Sequence, residues 1–291
     1  MLRKHHEQDV VLATPGIVRA GTYNPAINVV LFLATVLTTL FTGAMLAGAN
    51  PLRNPAGLLT GAPFAFTLLG ILGVHELGHY FVGRRHGVAV TLPYFIPVPF
   101  GLGTFGAFIQ MKSPVTNKKA LFDVGIAGPL AGFLVAVPLL VAGLLLSPIV
   151  RMPGGTHALG SSLLVEWITT LVRPHPAGYA VFLNPVAFAA WFGLLVTGIN
   201  LLPIGQLDGG HIAYALFGGR ARYLGWVVVV ALVVMGLTFW QGWLTWAFLA
   251  FLFGVRHPAP LDEITELNAA RRLLGLLTLG LLFLLITPAP F

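Results

Sequence analysis

Apolar residues in this chain come in long unbroken runs, without the strict alternation of a half-buried strand or the single stripe of an amphipathic helix. Segments 27–48, 62–83, 121–146, 180–203, 223–240 and 272–288 each approach the roughly 20 residues needed to cross hydrocarbon and are apolar on every face, so they predict spanning helices. A seventh run, 243–255, has only 13 residues; it predicts a helix that is tilted, re-entrant or continuous with its neighbour across Gln241 and Gly242. The span count is therefore six or seven. Two stretches break the pattern. Residues 91–120 interleave Pro93, Pro97, Pro99, Gly101, Gly103 and Gly106 with Phe95, Phe100, Phe105, Phe108 and Ile109, which predicts a short membrane-associated β-hairpin between the second and third spans. Residues 147–178 are bounded by Pro and Gly and hold a short amphipathic piece at Leu163–Leu171, suited to an interface.

Composition sharpens this into an all-α polytopic membrane protein. The 291 residues are 57% hydrophobic and 9% charged, against about 25% charged in a soluble domain, and mean hydropathy is +0.88. Ala47-Gly48-Ala49 after the first run resembles a signal-peptidase site. The 26 preceding residues and the length of the run instead predict a retained first span. Thirteen of the 16 Lys and Arg residues fall in alternate loops that share a side with the N-terminus, and only Arg53, Arg151 and Arg173 fall opposite. This asymmetry predicts a cytoplasmic N-terminus, accounts for the net charge of +7 and removes the reason to infer nucleic-acid binding. With no cysteine, a metal must be held by His, Asp or Glu.

The second span carries His75-Glu76-Leu77-Gly78-His79. Four-residue spacing puts both imidazoles on one helical face, where they reach one ion, and Glu76 sits beside them as a general base rather than a ligand. Glu76 lies seven residues before Gly83, about 10 Å along the helix. At that depth a carboxylate costs a few kcal/mol unless a cation or water compensates it. Two histidines leave tetrahedral zinc in need of a third protein ligand and one open position. Of the nine acidic residues, Glu7 and Asp9 lie in the N-terminal tail, Glu166 in an outer loop, and Asp262, Glu263 and Glu266 in a charged loop. Asp123 and Asp208 remain. Asp208 follows the fourth span in a Pro203- and Gly-interrupted stretch on the same side as the histidines, whereas Asp123 reads as a charge at a helix start. Asn200, in the last turn of that span, is placed either to donate to an oxyanion or to bond a neighbouring helix. His211 reads as a satisfied loop histidine, and His5, His6, His86, His157, His175 and His257 carry no metal-binding pattern.

Taken together, His75-Glu76-Leu77-Gly78-His79, Leu207-Asp208-Gly209-Gly210, Asn200 eight residues earlier, and Phe122-Asp123-Val124-Gly125-Ile126-Ala127-Gly128-Pro129-Leu130-Ala131-Gly132 resemble the site-2 protease family of intramembrane metalloproteases, in its branch without a PDZ domain. The resemblance covers roughly residues 62–260. It implies one zinc ion per chain on His75, His79 and Asp208, catalysis by Glu76, and hydrolysis of membrane-spanning segments. It also gives Gly101, Gly103, Phe105, Gly106 and Phe108 a substrate-binding role, as part of a hairpin that receives an unwound substrate strand. The organisation expected is one integral membrane domain over 1–291, with a catalytic core at 62–210 and accessory spans at 27–48 and 223–288. The expected partners are a single-span membrane protein substrate and the lipid bilayer, with the active site toward the cytoplasmic side. Oligomeric state and regulation are not legible. A transporter or metal-handling protein is the rival class, because intramembrane acids and broken helices also mark transport sites. Cleavage, as against ion flux, separates the two.

Overall fold

The computed structural model describes residues 1–5, 8–11, 23–151 and 159–290; Arg19, His6 and His157 lie outside them. Strands β1 (Leu2–His5) and β2 (Gln8–Val11) pair antiparallel ahead of helix α1 (Pro25–Leu46), which a 3-10 turn at Pro55–Gly61 joins to α2 (Ala62–Arg85). Next come β3 (Tyr94–Pro97) and β4 (Thr104–Phe108), also antiparallel, and then α3 (Lys118–Leu145). Strand β5 (Ile149–Arg151), helix α4 (Leu163–Val172) and strand β6 (Tyr179–Val181) form a small unit that leads into α5 (Pro185–Asn200). The chain then turns into α6 (Asp208–Phe217) and, through a 3-10 turn at Gly218–Arg220, α7 (Ala221–Thr238). Helices α8 (Gly242–Phe253) and α9 (Ala269–Leu285) close it.

Helix boundaries follow local chemistry. Asn24, Ser162, Asn184, Asn117 and Asn268 each accept a backbone N–H at the start of α1, α4, α5, α3 and α9, as expected where bulk water is not at hand to satisfy helix ends. Pro25 and Pro185 occupy the first helical position of α1 and α5, where a missing N–H costs nothing. The Asn184 cap also explains why α5 is shorter than the apolar run 180–203 suggests. Residues 179–181 are drawn into pairing with β5, and the helix proper has 16 residues.

Four helical segments, Pro25–Leu46, Pro55–Arg85, Lys118–Leu145 and Asp208–Thr238, are long and apolar enough to cross a membrane. The last corrects the expectation of a loop up to residue 222, because Asp208 opens a helix that carries His211 into the bundle. Large apolar side chains cover the outside: Leu37, Val227, Val230, Leu237, Leu277 and Phe283 are all more than half exposed. A water-soluble monomer does not present such a surface, and the chain is a multi-pass membrane protein.

The centre is formed by α2, α3, α5 and α6, packed around Ile71, Phe122, Ile126, Trp191, Leu194 and Ile212. Helix α1 lies against the β3–β4 unit and the start of α2. Asn28 donates from Nδ2 to the Leu92 and Pro93 carbonyls at 2.8 and 3.1 Å, and Thr38 donates from Oγ1 to the Gly103 carbonyl at 2.7 Å. Lipid offers no hydrophobic force to press helices together, so close packing relies on small residues and such polar pins. At Gly43 an added Cβ would sit 2.6 Å from the Gly61 carbonyl oxygen and 3.0 Å from Phe64 Cβ. Gly43→Leu is therefore expected to destabilise the protein by about 1–3 kcal/mol, measured as a lowered unfolding midpoint in mixed micelles. Leu37→Ala, on the lipid-facing side, should stay within about 0.5 kcal/mol of wild type.

Candidate metal centre

One turn of α2 brings His75 and His79 side by side, with 4.9 Å between ring centroids and 3.2 Å between their Nε2 atoms. Both are almost fully buried. His79 donates Nδ1–H to the Val124 carbonyl of α3 at 2.7 Å, which fixes its tautomer and leaves the Nε2 lone pair facing His75. Glycines on α3 make room for this. A side chain at Gly128 would run into the His79 ring, and a Cβ at Gly132 would lie 3.2 Å from His75 Nδ1. Gly78 gives the reciprocal clearance from α2, since its Cβ would lie 2.7 Å from the Ala127 carbonyl oxygen.

Asp208 arrives from the other side as the first residue of α6. The chain breaks after Asn200, passes through Leu201–Leu207 and restarts so tightly that a Cβ at Gly209 would lie 2.6 Å from the Leu202 carbonyl oxygen, and one at Gly210 2.7 Å from that of Ile204. A carboxylate at a helix start is stabilised by the exposed N–H groups there. Its Oδ2 lies 3.2 Å from His75 Nε2 and its Oδ1 3.2 Å from His79 Nε2.

Two imidazole nitrogens and a carboxylate that spans them thus converge from two helices, with 3.2 Å from nitrogen to nitrogen and 3.2 Å from each nitrogen to its own Asp208 oxygen. Tetrahedral zinc with ligand distances of about 2.0–2.1 Å has ligand-to-ligand edges of about 3.3 Å, so the set fits such an ion closely. The His79 lone pair would otherwise face a second imidazole nitrogen at close range, an arrangement that a cation between them resolves. Among the described residues this is the one group of three or more His, Asp or Glu side chains able to share a metal.

The centre opens onto a cleft of about 420 Å³ lined by Glu76, Asn200, Gln206, His211 and residues Ala107 to Met111. Glu76 is buried beside the ligands, and the Ile109 backbone hydrogen-bonds its carboxyl group. Asn200, the last residue of α5, places Nδ2 3.4 Å from His75 Nε2. Of the five hairpin residues singled out from sequence, Phe108 lines the cleft, and Gly101, Gly103, Phe105 and Gly106 are not among its lining residues. Gly101 and Gly103 have φ of +61° and +82°, in the turn between β3 and β4. Gly103 packs on α1, where its Cβ would lie 2.6 Å from the Thr38 carbonyl oxygen.

Asp123, the other acidic candidate, lies apart from the ligand group. Arg271 of α9 clasps it with two hydrogen bonds, Nε to Oδ1 at 2.7 Å and Nη2 to Oδ2 at 2.8 Å, and His86 Nε2 adds a third at 2.9 Å. His211 sits on a helix, and its Nδ1 is 2.5 Å from Nε2 of His257. Neither partnership has a spacing signature. The carbonyl of Val124 was equally hidden, although Gly125, Gly128 and Gly132 lie on one helical face and mark where α3 meets a neighbour.

Two imidazoles, one carboxylate and an adjacent free glutamate inside a bundle of membrane helices define a metal-dependent membrane protein of the H-E-x-x-H class. Comparison with known proteins agrees. The family model described as Peptidase family M50 matches residues 63–239. The probable zinc metalloprotease EGY2, chloroplastic, of Arabidopsis thaliana is 34% identical over 80% of this chain and 43% of its own length. The rice (Oryza sativa subsp. indica) protein of the same name is 33% identical over 89% of this chain and 49% of its own. The probable zinc metalloprotease EGY1, chloroplastic, of Arabidopsis thaliana is 34% identical over 78% and 42%. The chain spans less than half the length of these relatives. It belongs to Peptidase family M50, the site-2 proteases.

The α2–α3 contact yields a direct test. Gly128→Val should displace the His79 ring and lower zinc affinity at least tenfold, measured against a competing chelator, by the 10–100-fold scale of lost ligand support. Gly70→Val on the same α2 helix, where an added Cβ meets nothing within 4 Å, should bind zinc as wild type does.

Proposed function

We propose that this protein is an intramembrane zinc endopeptidase, with zinc held by His75, His79 and Asp208 and with Glu76 as general base. The observation that carries the reading is a pair of buried imidazoles 3.2 Å apart, each 3.2 Å from an oxygen of one carboxylate, next to Glu76 in a cleft of a membrane bundle. The printed names of the relatives, zinc metalloproteases, support it. When bound, zinc supplies a polarised carbonyl and a more acidic water.

The chain's own groups do the rest. Glu76 takes a proton from the attacking water and passes it to the leaving amine nitrogen. The Asn200 amide, beside His75, donates to the carbonyl oxygen as it gains charge. Peptide bonds inside a substrate helix are shielded, so the substrate must unwind locally. Residues Ala107–Ile109 border the cleft, and on this reading their backbone pairs as a strand with the freed backbone groups, which lipid cannot satisfy. On this reading the β3–β4 hairpin is membrane-associated, Phe108 contacts substrate directly, and Gly101, Gly103, Phe105 and Gly106 shape and place the strand.

The wider proposal keeps the core at 62–210 and accessory spans at 27–48 and 223–288. Six or seven segments cross if the shorter helices α5, α8 and α9 complete their passage with flanking residues. The substrate is a single-span membrane protein. We infer from the distribution of Lys and Arg that the N-terminus and the mouth of the cleft face the cytoplasmic side, from which water would enter.

The test is cleavage of a reconstituted single-span reporter, with zinc content measured alongside. Glu76→Gln should retain zinc and lose about 10²–10⁴-fold in turnover, whereas Asp208→Asn should lose or weaken the metal. Full activity in Glu76→Gln would sink the mechanism. Ion flux without cleavage would favour a transporter.

A further inference from the structure

Residues 254–271, the segment after α8 together with the first turn of α9, have no part in the mechanism above, yet they touch α6 and α3 directly and reach the end of α2 through Asp123. It meets α6 at two side chains on one face, His211 and Tyr214, three and six residues beyond Asp208. His257 faces His211 across 2.5 Å between Nε2 and Nδ1, with the rings 81° apart. Tyr214 lays its ring 4.9 Å from that of His257 and donates its hydroxyl to Glu263 Oε1. At Gly205, in the turn that precedes Asp208, the Gly254 carbonyl fills the space a side chain would need.

The same segment is fastened to α3. The Leu261 and Asp262 backbone N–H groups donate to the Val115 and Thr116 carbonyls at 3.0 and 2.8 Å, just ahead of the α3 cap. Arg271 grips Asp123 at 2.7 and 2.8 Å. Asp123 in turn holds His86, which ends α2, and it directly precedes Val124, whose carbonyl orients His79.

Metal affinity depends on how well the ligands are held at the right separation before the ion arrives, and loss of supporting contacts typically costs 10–100-fold. Helix α6 is only 10 residues long and starts from a turn, so beyond its packing on α3 it depends on further contacts to hold Asp208 in place. Contacts along residues 254–271 supply that hold on α6 and, through Asp123, on α2 and α3.

We propose that His257, Glu263 and Arg271 are positioning residues of the metal centre, and that the segment carrying them sets the distance between Asp208 and the two histidines. None of the three touches the ligands. They act through α6 and through Asp123. The inference rests on the zinc reading above and concerns metal binding before any substrate is present.

The experiment uses the full chain purified in micelles. Zinc affinity is measured by chelator competition, and the visible spectrum of the Co²⁺-loaded protein reports coordination geometry. His257→Phe, Glu263→Gln and Arg271→Met should each weaken zinc binding about 10–100-fold and distort the cobalt spectrum. Helicity and thermal midpoint of the metal-free protein should stay near wild type. Arg271→Lys should recover part of the loss. Asp123→Asn should match Arg271→Met, and the double variant should be no worse than either, as expected for two ends of one interaction. His75→Ala is the reference for loss of a ligand. Wild-type affinity in all three variants, with zinc lost in His75→Ala, overturns this inference alone. Zinc loss that tracks loss of helicity in the metal-free protein also overturns it, because the segment would then hold the fold as a whole. Unchanged zinc binding in His75→Ala overturns both this inference and the zinc reading.

Discussion

Helices in a bilayer are not pushed together by water, and this metal centre needs three of them within a few ångströms of one point. The 3.2 Å approach of the two imidazoles to each other and to the Asp208 carboxylate is possible because α3 presents glycines where α2 presents imidazoles, so that backbone occupies the space side chains would normally take. The same contact supplies the Val124 carbonyl that sets the His79 tautomer. Closeness and orientation thus come from one interface. The α5–α6 turn obeys the same rule, because Gly209 and Gly210 let the start of α6 lie against the backbone of the turn that leads from α5 to Asp208.

Burial makes this arrangement chemically demanding. Two histidines and a glutamate lie almost out of reach of solvent, with Asp208 only slightly more accessible. Isolated in such surroundings, each would be costly to keep in its charged form. Together they form a set in which a divalent cation balances the carboxylates and gives both imidazole lone pairs a use. The cleft opens to this set, and the end of β4 and the residues after it form a wall of it. Helix α1 holds that wall from behind through Asn28 and Thr38.

Much of this was legible in the sequence, for identifiable reasons. An apolar run of twenty residues has few fates in water, so α1, α2, α3 and α7 stood out, and a two-histidine motif at helical spacing names its own geometry. Asp208 emerged from a short inventory of acids. Other features were not legible. Helix α6 was read as loop because it is short and opens with Asp-Gly-Gly, and α5 was overestimated because apolarity continues past the Asn184 cap into residues that pair as strand. The Asp123–Arg271 clasp joins positions 148 apart, and His211–His257 joins positions 46 apart. No local spacing announces either one. Periodicity reports what a residue does for its own helix, whereas these side chains act between helices.

The separation of the ligands along the chain also has a bearing on when the centre comes into being. His75 and Asp208 are 133 residues apart, and the break after α5 must close before they meet. A nascent chain that has inserted only its first helices therefore carries the histidines and the base with no carboxylate to complete the set. On the proposed reading, metal capture and the activity that depends on it follow the arrival of α6, and a chain that has inserted only its first helices has neither.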